Sequence, residues 1–290
     1  WLKTFQKGVA LMKIMIMTDL EGVAGILNFE DWIYPHSRYY DKAKAMLTAE
    51  VNAATQAFLD NGFTEVIVYD GHGSGAIDPN LLHAQAKLIR GATNPPYPFG
   101  LDRSFAAFAF VGQHAKSRTS YSHLTHTGTS AVLSRAVNGY EIGEFGSGVY
   151  CAWELGIPTI FASGEKALCI EAEELAPGIV TAAVKEGLLE DEFDHYDAKS
   201  YAAAKLSAMH LSPQKACELI AEKAALAARK LQSEPQSFSC RPISAPYKII
   251  TTYRAQDNRP PFKLLQEDAK SFIAARNQPG RKIEIGAPDN

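Results

Sequence analysis

The chain has 290 residues, 46% hydrophobic and 21% charged, with a formal net charge of −3. That is the composition of a globular protein with one sizeable core. The absence of a long Lys/Arg block argues against a nucleic-acid partner. No apolar run has membrane-spanning length, so a membrane partner is not expected either.

The leader "WLKTFQKGVAL" is short and basic, and it lacks both a long apolar stretch and a small-residue cleavage site. It does not read as a signal peptide. Met12 is the expected start and residues 1–11 an N-terminal extension. "MKIMIM" then reads as a buried strand that stops abruptly at Asp19 and Glu21 in "TDLEG". Positions two apart on a strand point the same way, so both acids crowd one spot and require a cation between them.

A helix follows over 41–61, with Ala43, Met46, Leu47, Val51, Ala54 and Phe58 at helical spacing and Gly62 as its stop. "FTEVIVYD" (63–70) is a second buried strand, ending at "GHG" with His72. Irregular chain with Pro95, Pro96 and Pro98 precedes a third strand in "SFAAFAFVGQHAKS", which ends at His114. Asn138-Gly139 between two semi-apolar runs is a hairpin signal, and a helix is expected from near Gly143 to Leu155.

"IPTIFASG" reads as a strand, "EKALCIEAEELA" as an acidic helix closed by Pro177-Gly178, and "IVTAAVKEG" as a further strand. A long helix fits 212–231, with Ser212 as N-cap and Pro213 just inside. Beyond it, "APYKIITTYRAQDNRPPF" gives a strand and a turn, followed by a helix near 263–276 and a polar tail. The expected architecture is α/β, a mostly parallel central sheet flanked by helices. The expected division is 12–235 for this domain and 236–290 for a smaller C-terminal lobe.

Three strand-like runs thus end in metal-ligating side chains: Asp19 with Glu21, then His72, then His114. In open α/β sheets the carboxyl ends of strands form the binding edge, and Glu144 at a helix start is a fourth contributor. Singly, each has an ordinary explanation, such as a solvated histidine or an acid at a helix dipole. Together, three carboxylates and two imidazoles exceed the needs of one zinc ion. They suit two ions sharing a carboxylate, for which the short, central Asp19 is the natural bridge. The mixed nitrogen and oxygen donors fit zinc best.

"MTDLEGVAG", "YDGHGSG", "FVGQHAKS", "LTHTGTS" and "NGYEIGEFG" resemble the ordered motifs of the D-aminopeptidases of the bacterial dipeptide-permease type, a family of di-zinc peptidases. "AEELAPGIVTAAVKEG" and "LSPQKACELIAEKAALA" resemble later segments of that family, so the likeness runs over roughly 12–232. It implies Asp19, Glu21, His72, His114 and Glu144 as ligands of two Zn2+ per chain. It implies His126, in the Thr-His-Thr pattern, as the catalytic histidine at the expense of one inserted residue; His123 in "YSHL" is the alternative, otherwise a solvated loop histidine. It also implies a short peptide substrate with a free N-terminal amine and a small D-residue such as D-alanine. A ring-shaped homo-oligomer, a decamer of stacked rings, is implied as well. Residues 236–290 do not resemble the family's ending.

The activity expected is that of a cytoplasmic aminopeptidase in which a hydroxide bridging two zinc ions attacks the scissile carbonyl. A di-metal amidohydrolase for a non-peptide amide and a non-catalytic metal- or peptide-binding protein are the alternatives. Cys151, Cys169, Cys217 and Cys240 are widely spaced without a CxxC and read as reduced thiols of the cytoplasm. Asp70 reads as an orienting carboxylate for His72 or a turn residue. His36, His83, His195 and His210 read as surface residues, and "EAEELA" as a solvated helix face.

Overall fold

The continuous apolar runs are strands buried on both faces. In β1 (Lys13–Thr18), Ile14 and Ile16 face one core while Met15 and Met17 face another. This alternation follows from a strand's period of two. A computed structural model of the chain describes residues 12–91, 97–256 and 259–285. The expected extension at 1–11, Pro95, Pro96 and the last residues of the polar tail lie outside them.

After β1 come α1 (Phe29–Trp32), α2 (Tyr40–Asp60), β2 (Glu65–Asp70), β3 (Ala86–Ile89) and β4 (Ala107–Gln113). The hairpin β5 (Val132–Val137) and β6 (Tyr140–Glu141) leads into α3 (Glu144–Glu154), β7 (Thr159–Glu165), α4 (Lys166–Leu175) and β8 (Val180–Gly187). The chain continues through α5 (Ala198–Ala204), β9 (Ala208–His210), α6 (Pro213–Ser233), β10 (Tyr247–Tyr253), β11 (Phe262–Asp268), α7 (Phe272–Asn277) and β12 (Arg281–Ile283).

The fold is α/β with a mostly parallel central sheet flanked by helices. Seven strands in the order β3-β2-β1-β4-β7-β8-β9 form that sheet, and β9 is the antiparallel member. α2 and α6 pack together over one face, burying Leu47, Val51, Phe58, Ile220 and Ala224 against Ile14 and Val68. On the other face α3 and α4 bury Phe145, Val149 and Leu168 against Phe108 and Phe110. Fully burying a side chain of this size contributes about 1.5–3 kcal/mol. Among the described residues no helix is long and apolar enough to cross a membrane.

A second, antiparallel sheet has the order β12-β11-β10-β5-β6. Strands from both sides of residue 236 share it, with Val137 opposite Ile249 and Ala136 opposite Ile250. The hairpin forms as expected, Asn138 and Gly139 taking φ of 48° and 81°, the pair of positive values that a tight two-residue turn needs. Ser212 caps α6 by accepting from Lys215 N at 3.3 Å.

The last segment departs from expectation. Residues 262–268 form β11, not the first turns of a helix. Their ladder to β10, from Tyr253 opposite Phe262 to Tyr247 opposite Asp268, holds them as a strand. Only Phe272–Asn277 is helical; Ser271 caps it by accepting from Ala274 N at 3.0 Å, and Glu154 of α3 accepts from Phe272 N at 2.6 Å. The edge strands β3 and β9 were not expected; both are short and half exposed, without an apolar run to announce them.

Candidate metal centre

β2, β1 and β4 are neighbours running in parallel, with Thr18 in register with both Asp70 and Val111. Asp19, His72 and His114 therefore leave the sheet side by side at its carboxyl edge. Glu144 reaches the same place as the first residue of α3, positioned by the hairpin before it. Asp19 lies between the imidazoles: Oδ1 is 3.2 Å from His72 Nδ1, and Oδ2 is 3.3 Å from His114 Nε2. Glu21 Oε2 is 3.3 Å from His72 Nδ1, and Glu144 Oε1 is 3.5 Å from His114 Nε2. His126 stacks on the His114 ring at 4.1 Å and turns Nε2 to 3.8 Å from Glu144 Oε1.

The far nitrogens are committed elsewhere. His72 Nε2 donates to the Ile33 carbonyl at 3.1 Å, and His114 Nδ1 donates to the Ala115 carbonyl at 2.8 Å. A hydrogen bond on one ring nitrogen presents the other as a lone pair, as metal ligation requires. Glu21 Oε2 and His114 Nε2 are buried and lack hydrogen-bond partners. These orphaned atoms, with the nitrogen and carboxylate donors around them, fit divalent metal ions of the zinc type.

Backbone clearance fixes the spacing. Asp19 N donates to Val111 O at 3.0 Å and Gly22 N to Gly112 O at 2.7 Å. A Cβ on Gly112, where φ is +76°, would stand 2.1 Å from the Asp19 carbonyl; one on Gly22 would stand 2.1 Å from the Gln113 carbonyl. Only glycine fits such an approach. Gln113, which sequence reasoning passed over, donates from Nε2 to Asp19 Oδ2 at 2.9 Å.

The electrostatics answer the crowding of acids. Burial alone would raise the Asp19 carboxyl, but the His114 and His72 imidazoles beside it hold it well below the usual range. Burial would depress His72, but the charges of Glu21 and Asp19 push it up to about 12. Desolvation would raise Glu144, whose side chain is 33% exposed, but His114 holds it at about 2. The acids thus keep their charge and draw protons onto the imidazoles. A bound metal ion takes the place of those protons.

Asp70 is a turn residue: it accepts from Ala76 N at 2.9 Å and from Ile77 N at 3.2 Å. His123 is no solvated loop residue but fully buried. Its Nδ1 accepts from Lys185 Nζ at 3.0 Å, and its Nε2 donates to Leu27 O at 3.2 Å. Burial and the Lys185 charge push it down to about 2. His210 is half-buried, stacked edge-on against His123. Glu171 in the acidic helix is buried rather than solvated and accepts from Lys116 N at 2.9 Å.

Beneath the Asp19–Glu21 turn lies a charged layer that the sequence reading missed. Lys185, from β8, donates to the Glu21 carbonyl as well as to His123. Glu165 closes β7 and accepts from Ala115 N at 2.7 Å and from His123 N. Glu50 of α2 accepts from Ala24 N at 3.0 Å. Glu165 carries the same strand-end signal as His72, and that signal was legible. Lys185 and Glu50 carried none, because their partners are distant in sequence.

Burial raises the Glu50 carboxyl to about 8. A carboxyl raised on folding costs stability once the unfolded chain ionises, and the cost grows until the folded group ionises too. Glu50→Gln is therefore expected to match the wild type near pH 4 and to gain on it between pH 5 and 8. Thermal melts across that range check the sign; a gap that narrows with rising pH would refute it.

Fold and donor set together define an α/β protein with an acid-and-imidazole cluster suited to divalent metal ions at the edge of its sheet. Residues 12–259 match peptidase family M55, described as D-aminopeptidase. The D-aminopeptidase of Bacillus subtilis (strain 168) is 31% identical over 235 residues, which is 80% of this chain and 80% of that protein. The chain belongs to this D-aminopeptidase family. In fold it is similar to the Zn-dependent D-aminopeptidase DppA from Bacillus subtilis, described as a self-compartmentalizing protease. The TM-score is 0.77 at 24% identity, over 91% of this chain and 94% of that one.

Proposed function

We propose that the chain is a zinc aminopeptidase acting on short peptides, with Asp19, Glu21, His72, His114 and Glu144 holding two zinc ions. The observation that carries this is the Asp19 carboxylate, which offers one oxygen toward His72 and the other toward His114. Glu144 falls on the His114 side, while Glu21 reaches His72 and also converges with Asp19 and His114, so the donors gather about a shared carboxylate. Zinc bound there supplies Lewis acidity and makes water nucleophilic near neutral pH.

The chain's own residues orient and move protons. Gln113 and Leu20 N fix the Asp19 carboxylate. His126 Nδ1 donates to the Leu124 carbonyl at 3.0 Å, which leaves Nε2 to carry the proton passed to the departing amine. Both ring nitrogens of His123 are occupied, which favours His126 for this role.

Metal-loaded protein assayed on D- and L-aminoacyl amides and dipeptides tests the reading. D-Ala-D-Ala is expected to be cleaved with a higher kcat/KM than L-Ala-L-Ala, because pocket walls rather than the metals set handedness. Cleavage of non-peptide amides alone would make the protein an amidohydrolase. Metal binding without any turnover would make it a binding protein.

The relative described as self-compartmentalizing supports a homo-oligomer here; the ring shape, a decamer of stacked rings, is what the family resemblance adds to this reading. Light scattering is expected to give a mass many times 31.6 kDa, and a monomer at working concentration would refute the assembly. The four free thiols, three of them buried, support a reducing compartment such as the cytoplasm.

A further inference from the structure

Beside the metal centre lies a cavity of about 160 Å³, lined by Asp19 and Gln113 at the sheet edge and by Glu144, Arg135 and Arg276. Arg135 projects from β5 and Arg276 from α7, so two cations from the second layer face the same space as the candidate ligands. The Arg135 stem is fixed by Nε, which donates to Thr251 Oγ1 at 3.3 Å. The Arg276 guanidinium sits 5.0 Å from the centre of the Tyr97 ring, and its Nε is buried without a partner.

Neither arginine forms an ion pair among the described residues. A guanidinium stacked on an aromatic face keeps its in-plane N–H groups free for a carboxylate. Burial and the nearby Arg276 charge push Arg135 down to about 10, so at neutral pH two like charges share the cavity. Asp19 and Glu144 are the acids that line it, and metal ions at the centre offset their charge. The positive charge left over calls for an anion. The cavity is smaller than the roughly 300–1,000 Å³ of pockets for drug-sized ligands, so it suits the end of a small molecule.

We propose that Arg135 and Arg276 form a subsite for the C-terminal carboxylate of a short peptide. This rests on the aminopeptidase reading, and it makes the substrate class dipeptides and similarly short peptides with a free carboxyl end. The scissile carbonyl lies at the metal centre while the far carboxylate meets the two guanidinium groups. Chain length is then read by the distance between them. Arg276 lies beyond the residues 12–259 that match the family model.

The test is calorimetric binding to zinc-loaded protein of a D-Ala-D-Ala analogue whose scissile amide is reduced to a methyleneamine and cannot be cleaved. The free acid and its C-terminal amide are compared. The free acid is expected to bind roughly tenfold tighter or more, the effect of charge-assisted hydrogen bonds. Arg276→Gln should bring the ratio toward one, and Arg276→Lys should keep part of it. Equal binding of acid and amide by the wild type, no binding of either, or a ratio unchanged in Arg276→Gln overturns the subsite. An acid preference in a protein that cannot hydrolyse D-Ala-D-Ala supports the subsite and overturns the aminopeptidase reading instead.

Discussion

His72→Ala is expected to lower the zinc content from two ions per chain toward one and to cut peptide hydrolysis more than about 100-fold. Residues that merely support a metal ligand typically cost 10- to 100-fold when removed, and a ligand itself costs more. His72 faces Asp19 and Glu21 at 3.2 and 3.3 Å through a single nitrogen, so alanine leaves His114 as the one imidazole beside these two acids. The substitution falls in a loop beyond β2 and leaves the apolar cores intact, so the protein should stay folded. Elemental analysis with circular dichroism separates lost metal from lost fold. Two ions retained at full activity would remove His72 from the ligand set.

His126→Ala is expected to lower kcat by about 10²–10⁴, the range for a positioned general acid or base, while both ions stay bound. The distinction matters because His126 converges with His114 and Glu144 closely enough to ligate a metal itself. Loss of an ion in this variant would make His126 a ligand rather than a proton carrier. His123→Ala serves as the contrast. It removes a buried ring from between Lys185 and Leu27, so its effect should appear as a lower melting temperature, with hydrolysis little changed once the protein is folded.

Asp19, His72 and His114 were legible because each ends an apolar run. Burial on both faces writes a strand as an uninterrupted apolar stretch, and a titratable residue at its end stands out. Glu144 was legible through the hairpin signal of Asn138-Gly139. The layer behind them was not, because Lys185 and Glu50 meet the Glu21 carbonyl and Ala24 N across separations that no local pattern encodes. β11 was misread for the same reason. A helix was expected near 263–276, and the pairing with β10 that makes 262–268 a strand is a tertiary fact. Arg135 and Arg276 lie far apart in the chain, and the fold alone brings them to one cavity.

The pairing of β5 with β10 bears on the order of events during synthesis. β5, which carries Arg135, leaves the ribosome well before the strand that holds it in place, since Val137 must wait for Ile249. Closing so long a loop is entropically costly until the contacts it brings form. The parallel strands that present Asp19, His72 and His114 are all made earlier. A nascent chain can therefore assemble these candidate metal ligands while the wall opposite them is still missing. The cavity that would accept a peptide closes only when β10 and α7 dock, so the finished pocket is a late product of translation.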